Sequence, residues 1–319
     1  MEPGDPRRHG APDGAEAEKG YAHGEKIVGS GQCQRTIYRG RGARLASAGL
    51  AVFSRMSASR PVSPWSLAVW VLGALLVLFV AGPLARLLIQ ARPASLAAAF
   101  RDPELMASLW LTVLTATGAT VCSVLLGVPL AYLLARVPLP GRRIVAGLVE
   151  LPVVVPHPVA GIALLLFLGR QSPVGRGLAA LGLEVVNHIP GIVAGMLFVS
   201  APIVASSARE AFRSVDPKLE RVARTLGDTA WDAFRRVTLP LAGRSVLAGA
   251  VLAWARSVSE FGSIVILTYN PKVASILIYD RFTLFGLPAA VPAAAVLLLL
   301  ALVVFVVVQL LAPDGGARR

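Results

Sequence analysis

SSAREAFRSVDPKLERVARTLGDTAWDAFRRVTLPLAGR, residues 206–244, is the stretch on which the reading of the whole chain turns. It lies between two strongly apolar segments and is the most charged part of the chain after the N-terminal tail. From Arg209 to Arg244 it carries eight Lys/Arg and five acids. Its pattern is that of two short amphipathic helices, not of a structureless loop. Asp216-Pro217 reads as a helix start, Asp at the N-cap and Pro at the first helical position. Leu219, Val222, Ala223 and Leu226 then recur at i, i+3, i+4 and i+7, which places them on one face. Gly227 stands where a left-handed C-terminal glycine closes a helix. Asp228 is placed to cap a second helix, striped by Ala230, Phe234 and Val237 with Trp231 alongside. Pro240 is expected to turn the chain out of helix at Leu239.

A structured polar hairpin between apolar spans reads as a docking element for a soluble partner. Two other readings compete with it. A helix-turn-helix for DNA needs a free face on a duplex, which a position between two spans denies. A solvated linker has no use for caps and an apolar face together, and long structured loops tend to be functional.

The composition sets the class. The chain has 319 residues, 55% hydrophobic and 15% charged, with a mean hydropathy of +0.67. A soluble domain cannot hide that much apolar surface, so the fold class is an all-α polytopic membrane protein. A net charge of +13 would point to nucleic acid in a soluble protein. Here cytoplasmic loops, which collect Lys/Arg, and anionic lipid surfaces account for it, and no nucleic-acid partner is expected. Cys33 and Cys122 make neither a disulfide framework nor a metal cluster.

Residues 1–60 hold ten of the 31 basic residues and no long apolar run. They lack the apolar core and cleavage site of a secretory signal and are expected to be disordered. Met56, ahead of SASRPVSPWSLAVW, is a candidate internal start. A bilayer crossing takes ~20 apolar residues. Six crossings are expected, at about 66–89, 109–134, 144–168, 189–208, 245–267 and 287–311. Residues 61–104 then carry the first span and an outer loop, 105–311 a five-span core with the loop at 209–244, and 312–319 a tail. The loops on the hairpin side and the C-terminal tail hold 13 Lys/Arg, the other loops seven. That bias puts the hairpin and both termini in the cytoplasm.

The second to fourth spans are rich in Gly, Ala, Ser and Thr, which let helices approach closely in lipid. The third is interrupted by Pro152, Pro156 and Pro158, with His157 between the last two. Three prolines so close are not expected in a regular helix, and an unwound turn at this depth must be buried in protein or line a cavity. The sixth span is uniformly apolar and suits lipid contact. No internal repeat of the kind found in self-contained secondary transporters is evident.

The hairpin resembles the cytoplasmic EAA loop of type I ATP-binding-cassette importer permeases. That pattern runs E-A-A, three residues, G, nine residues, I-x-L-P. Arg221-Val222-Ala223 hold its first three positions, Gly227 its glycine, Val237 its isoleucine, and Leu239-Pro240 its end. The departures are Arg221 for the acid, with Glu220 just before it, and Val222 for Ala. The resemblance spans about residues 106–311. LPVVVPHPVAGIALLLFLGRQSPVG (151–175) and ARSVSEFGSIVILTYNPKVASILIYDRFTLFGL (255–287) narrow it to the molybdate, tungstate and sulfate branch. Tyr269-Asn270-Pro271 and Tyr279-Asp280-Arg281-Phe282 are most similar to the tungstate/molybdate members.

The resemblance implies the six-helix permease fold with a cytoplasmic coupling helix between the fourth and fifth spans. It implies a homodimer, two cytoplasmic ATP-binding cassette subunits, an extracytoplasmic oxyanion-binding protein and surrounding membrane lipid. The coupling residues would be Leu219, Arg221, Val222, Ala223, Leu226, Gly227, Val237, Leu239 and Pro240. The transport-path and gate candidates are Pro156, His157, Pro158, Arg256, Ser259, Glu260, Phe261 and Gly262. Arg256 and Glu260 fall at i, i+4 on the fifth span. A charge at mid-membrane costs about 3 kcal/mol, so both should face the bundle interior. Either Arg256 lends positive charge to an oxyanion path with Glu260, Phe261 and Gly262 shaping a gate, or the two form a structural ion pair. Ser257, Ser259 and Ser263 could donate to oxyanion oxygens or act as interhelical glue. Glu150 would pair with Arg142 or Arg143 or snorkel to the interface. His157 is either a proton relay or ligand, or a side chain satisfied by backbone groups freed at the break.

The chain has no G-x-x-x-x-G-K-[ST] loop, so ATP hydrolysis is assigned to a partner, and no cofactor is expected. A sulfate permease is the alternative within the family. A self-sufficient secondary transporter would need coupling-ion carboxylates at midplane. A membrane enzyme would need a cluster such as H-E-x-x-H or G-x-S-x-G, and neither is present.

Overall fold

A computed structural model describes residues 64–311, with side chains from 65 to 306. The tail at 1–60 with its candidate start at Met56, and residues 312–319, lie outside the described residues. The chain divides into two units, Met1–Gly73 and Ala74–Arg319. Of the first, the described residues are the opening turns of helix α1 (Pro64–Gln90). Every regular element among the described residues is helical.

After α1 come α2 (Pro93–Phe100) and the long α3 (Pro103–Arg136), capped by Asp102, whose carboxylate accepts from Glu104 N. Next are α4 (Arg142–Val154), α5 (His157–Leu168), α6 (Pro173–Ala180) and α7 (Ile189–Ser214). The hairpin comprises α8 (Pro217–Thr225) and α9 (Ala230–Ala233), which runs through a π-helical turn (Phe234–Thr238) into α10 (Leu239–Val258). The chain closes with α11 (Ile264–Leu267), α12 (Ala274–Phe285) and α13 (Leu287–Leu311). Among the described residues five segments are long and apolar enough to cross a bilayer: α1, α3, α7, α9–α10 and α13. A sixth crossing, if continuous, is the pair α4 and α5, bent by 117° at the proline break.

The core is built on α3 and α7, which pack along most of their length with α10 against both. Small side chains make this possible. Ala116, Ala119 and Ala131 are wholly buried, and a Cβ on Gly127 would stand 3.5 Å from Val204. Between apolar helices in lipid the hydrophobic effect gives little, so close packing and interhelical hydrogen bonds carry association. Ser123 and Ser200 supply one such bond across α3 and α7, at 2.9 Å, worth ~0.6 kcal/mol. Three buried clusters mark the depth. Phe212, Val215 and Val246 lie on the hairpin side. Ile192, Met196 and Ile264 lie in the middle, and Leu105, Leu277 and Val296 on the far side.

Four expectations about prolines and helix ends are corrected. Pro152 is accommodated inside α4; the chain breaks two residues later, where Pro156 caps α5 and Pro158 lies in its first turn. The fifth helix stops at Val258 rather than near 267, so Arg256 is in its last turn and Glu260 stands in the turn beyond it. The fourth helix runs on to Ser214, so Arg209 belongs to it and not to the loop. Pro240 does not turn the chain out of helix: it follows directly on the π-helical turn, and the helical run from Ala230 continues through it to Val258.

Candidate functional site

Two clusters of side chains stand at opposite ends of α10. The first is the hairpin. Asp216 Oδ1 accepts from Lys218 N at 2.8 Å, capping α8. Gly227, at φ +104°, closes it. Asp228 N donates to Ala223 O and Gly227 N to Arg224 O, at 3.1 and 3.2 Å, the paired bonds of a Schellman turn. Thr229, not Asp228, caps the second helix: its hydroxyl accepts from Asp232 N at 3.1 Å. The same hydroxyl bonds the Asp232 carboxylate and holds it below the usual carboxylate range. Asp228 is left to pair with Arg236 at 2.9 Å.

Glu220 fixes this hairpin to the bundle. Its Oε1 accepts from Arg136 Nε at 3.0 Å and from the Thr238 hydroxyl. Its Oε2 accepts from Tyr132 OH at 3.2 Å. Arg136 also donates to Val215 O at 2.9 Å, bracing the entry to α8. Tyr132 meets Phe212 and Phe234 edge-on, with ring centroids 5.6 and 4.7 Å apart. With that side of α8 tied down, its apolar stripe faces outward: Leu219, Val222 and Leu226 are 46%, 56% and 84% exposed. Ala223 and Val237 are half-buried, and Arg221, Leu239 and Pro240 are exposed. Nothing in the hairpin pattern named Tyr132, Arg136 or Thr238. The nearest signal was the acid at 220, one place before the motif's first position.

The second cluster sits at the proline break. Arg256 Nη2 lies 3.0 Å from Glu260 Oε2 and close against His157 Nε2, which is itself 3.5 Å from that carboxylate oxygen. Glu260 Oε1 accepts from both Ser263 N and Ser263 Oγ at 2.9 Å. Oε2 has Arg256 and His157 beside it but no aligned hydrogen-bond donor. The Glu260 side chain is fully buried, whereas Arg256 keeps 29% and His157 39% exposure. Arg256 Nη1 also donates to Ser259 Oγ at 3.2 Å. Gly262 lets the two broken segments meet, since a Cβ there would stand 2.7 Å from His157 Cβ. Phe261 packs its ring on Tyr279, centroids 5.1 Å apart. Pro156 and Pro158 are exposed beside this contact. Ser257 is buried with its hydroxyl unpartnered among the described residues.

Leu252, Gly249 and Ser245 recede from Arg256 by four, seven and eleven residues, down one face of α10 toward the hairpin. With Ser207, Glu210 and Ser214 of α7 they wall an open cleft of about 500 Å³. Glu150 is ion-paired, but to Arg209 of α7 at 2.7 Å rather than to Arg142 or Arg143. The pair ties α4 to the bundle.

Beyond the break, the loop after α11 is held rigidly. Tyr269 OH bonds Asp280, and Lys272 Nζ lies 2.6 Å from the other carboxylate oxygen. Burial pushes the Asp280 carboxyl up, but the Lys272 and Tyr269 contacts outweigh it and hold the group below the usual carboxylate range. Arg281 reaches back to Asp102 at 2.5 Å, joining α12 to the start of α3.

Sequence and structure comparisons place this geometry among known proteins. The model of a family described as "binding-protein-dependent transport system inner membrane component" matches residues 123–314. The chain is 40% identical, over 242 residues, to the molybdate/tungstate transport system permease protein WtpB of Thermococcus kodakarensis; the match covers 75% of this chain and 93% of that one. It is 32% identical, over 199 residues, to the sulfate transport system permease protein CysT of Escherichia coli, covering 61% and 72%. Among solved structures, a bacterial alginate ABC transporter in complex with an alginate-bound periplasmic protein shares the fold. Its TM-score is 0.64 at 20% identity, covering 78% of this chain and 94% of that one.

Proposed function

This chain belongs to the family of binding-protein-dependent transport system inner membrane components, and from that premise we propose that it is the permease subunit of an ATP-driven importer of tungstate or molybdate. The observation that carries the proposal is the orientation of α8. A half-buried carboxylate, Glu220, pins one side of the helix while Leu219, Val222 and Leu226 face outward. An apolar face held away from its own core is made for another protein's groove. The hairpin lies in the cytoplasm with both termini, and two ATPase subunits each receive one hairpin of a permease homodimer. An extracytoplasmic binding protein delivers the anion to the far side. The higher identity and coverage of the molybdate/tungstate relative than of the sulfate relative support the choice of oxyanion.

Within the path, Arg256 and Glu260 have separate roles. Glu260, fully buried and held at Oε1 by Ser263, is a fixed structural counter-charge. Arg256, partly exposed above the cleft, presents the positive charge past which an oxyanion moves. His157, Pro156, Pro158, Ser259, Phe261 and Gly262 form the narrowing around it.

Arg256→Met alone would strand Glu260, so the informative variant is Arg256→Met with Glu260→Gln. Removing both charges should leave membrane insertion normal and lower molybdate uptake at least about tenfold, the scale of one lost charge-assisted contact. Arg256→Lys, which keeps the charge, should retain part of the uptake. Full uptake by the double variant at normal protein level would exclude Arg256 from the path.

A further inference from the structure

The charges of the hairpin are sorted by sign. All four acids from 216 to 232 are engaged within the chain. Asp216 caps α8, and Glu220 is bound by Arg136, Tyr132 and Thr238. Asp228 pairs with Arg236, and Asp232 accepts from Thr229. The bases are turned out. Lys218, Arg221, Arg224 and Arg235 are exposed, and among the described residues none has an ion-pair partner. Helical spacing sets Lys218 and Arg221 along one edge of the outward Leu219–Val222–Leu226 stripe. The docking surface is therefore an apolar strip with a basic border.

We infer that the groove receiving α8 has an apolar floor and an acidic rim opposite Lys218 and Arg221, so that docking of the ATPase subunit is ionic as well as apolar. The inference rests on the reading of the hairpin as the coupling element, and adds the sign of the partner's charge. Arg221 stands at the motif position where the related loops carry an acid. The acid next to it, Glu220, is spent inside the permease. With no carboxylate left on that edge, a basic groove would meet only like charge, which costs affinity and selects against such a partner. A basic, apolar surface also suits an anionic membrane. The Glu220 contacts hold α8 at a fixed angle to α3 and α10, which matches a preformed groove better than a lipid interface, where a helix settles to its own depth and tilt.

The test uses full-length permease in nanodiscs of pure phosphatidylcholine and of phosphatidylcholine with phosphatidylglycerol. Binding is measured for the ATPase subunit that supports uptake with this permease. For the wild type, affinity should fall about tenfold or more as salt rises from about 0.05 to 0.5 M, because rim charges are screened. Lys218→Glu with Arg221→Glu should lose about tenfold at low salt and flatten the salt dependence. Arg221→Glu alone should lose a smaller part. Acid-to-lysine changes on the ATPase rim should restore binding to the doubly reversed permease. Undiminished affinity of the reversed variant, or salt-independent binding of the wild type, would overturn the inference and leave the coupling reading standing. A deficit confined to the phosphatidylglycerol discs would overturn it in favour of a lipid contact. No binding to the wild-type permease at any salt would overturn the coupling reading, and this inference with it.

Discussion

Glu260→Leu is expected to cost the permease about 3–5 kcal/mol of stability, the range found when one partner is taken from a buried ion pair. Leucine fills the space but leaves three things behind. Arg256 loses its carboxylate at 3.0 Å, and an unpaired charge at membrane depth costs at least ~2.5 kcal/mol. His157 loses its neighbour at 3.5 Å. The Ser263 N–H, which donates to Glu260 Oε1, is orphaned at about 1–3 kcal/mol. Against a total stability of about 5–15 kcal/mol, most of the protein should fail to accumulate. The check is the amount of permease in isolated membranes together with its thermal unfolding midpoint in detergent. Adding Arg256→Met to the same chain should recover a large part of the loss, because it removes the stranded charge. The coupling between the two positions should exceed about 1 kcal/mol. If Glu260→Leu is as stable as the wild type, the carboxylate is not the structural member of the pair.

Gly227→Val is expected to separate folding from function. The residue's φ of +104° is open to glycine and strained for a β-branched side chain, by about 1–3 kcal/mol. A Cβ there meets nothing within 4 Å, so the strain stays in the turn and does not reach the core. The bonds that close α8, from Asp228 N and Gly227 N, should open and release the register between α8 and α9. Insertion and the thermal midpoint of the bundle should change little. Uptake should fall at least about tenfold, since a misplacement of about 1 Å in a positioned element can cost two orders of magnitude. Uptake and ATPase activity measured on the same reconstituted complex read this out. Normal coupled uptake in the variant would remove the hairpin turn from the transmission path.

What could be read from the chain alone was what is encoded within a few residues. Asp216 as a cap and Gly227 as a left-handed closure are local chemistry, and both stand as read. The long apolar runs mark the crossings because lipid leaves the backbone no choice but helix. The proline break was visible for the same reason, though its position was not. Pro152 lies inside α4, whose last residue is only two places further on. Where competing local signals were equal, the structure was needed. Asp228 and Thr229 are both good caps, and Arg236, eight residues on, draws Asp228 away. Pro240 reads as a helix breaker, but the π-helical turn ahead of it carries the helical run through to Val258. The contacts that make the site were least legible. Glu220 meets Arg136 across 84 residues and His157 meets Arg256 across 99, and no periodicity in one segment reports on another that far away. The helix end at Val258 was hidden because Arg256 and Glu260 keep helical spacing across it. Their contact survives although only one of them is in the helix.

The most direct test of ATP-driven oxyanion import is uptake into proteoliposomes that hold this permease, its ATPase subunits and internal ATP, with the cognate binding protein outside. Labelled molybdate or tungstate should accumulate only when ATP, the ATPase and the binding protein are all present, and withdrawing any one should abolish it. Undiminished accumulation by the permease alone, insensitive to ATP, would contradict the account and make the chain a self-sufficient transporter.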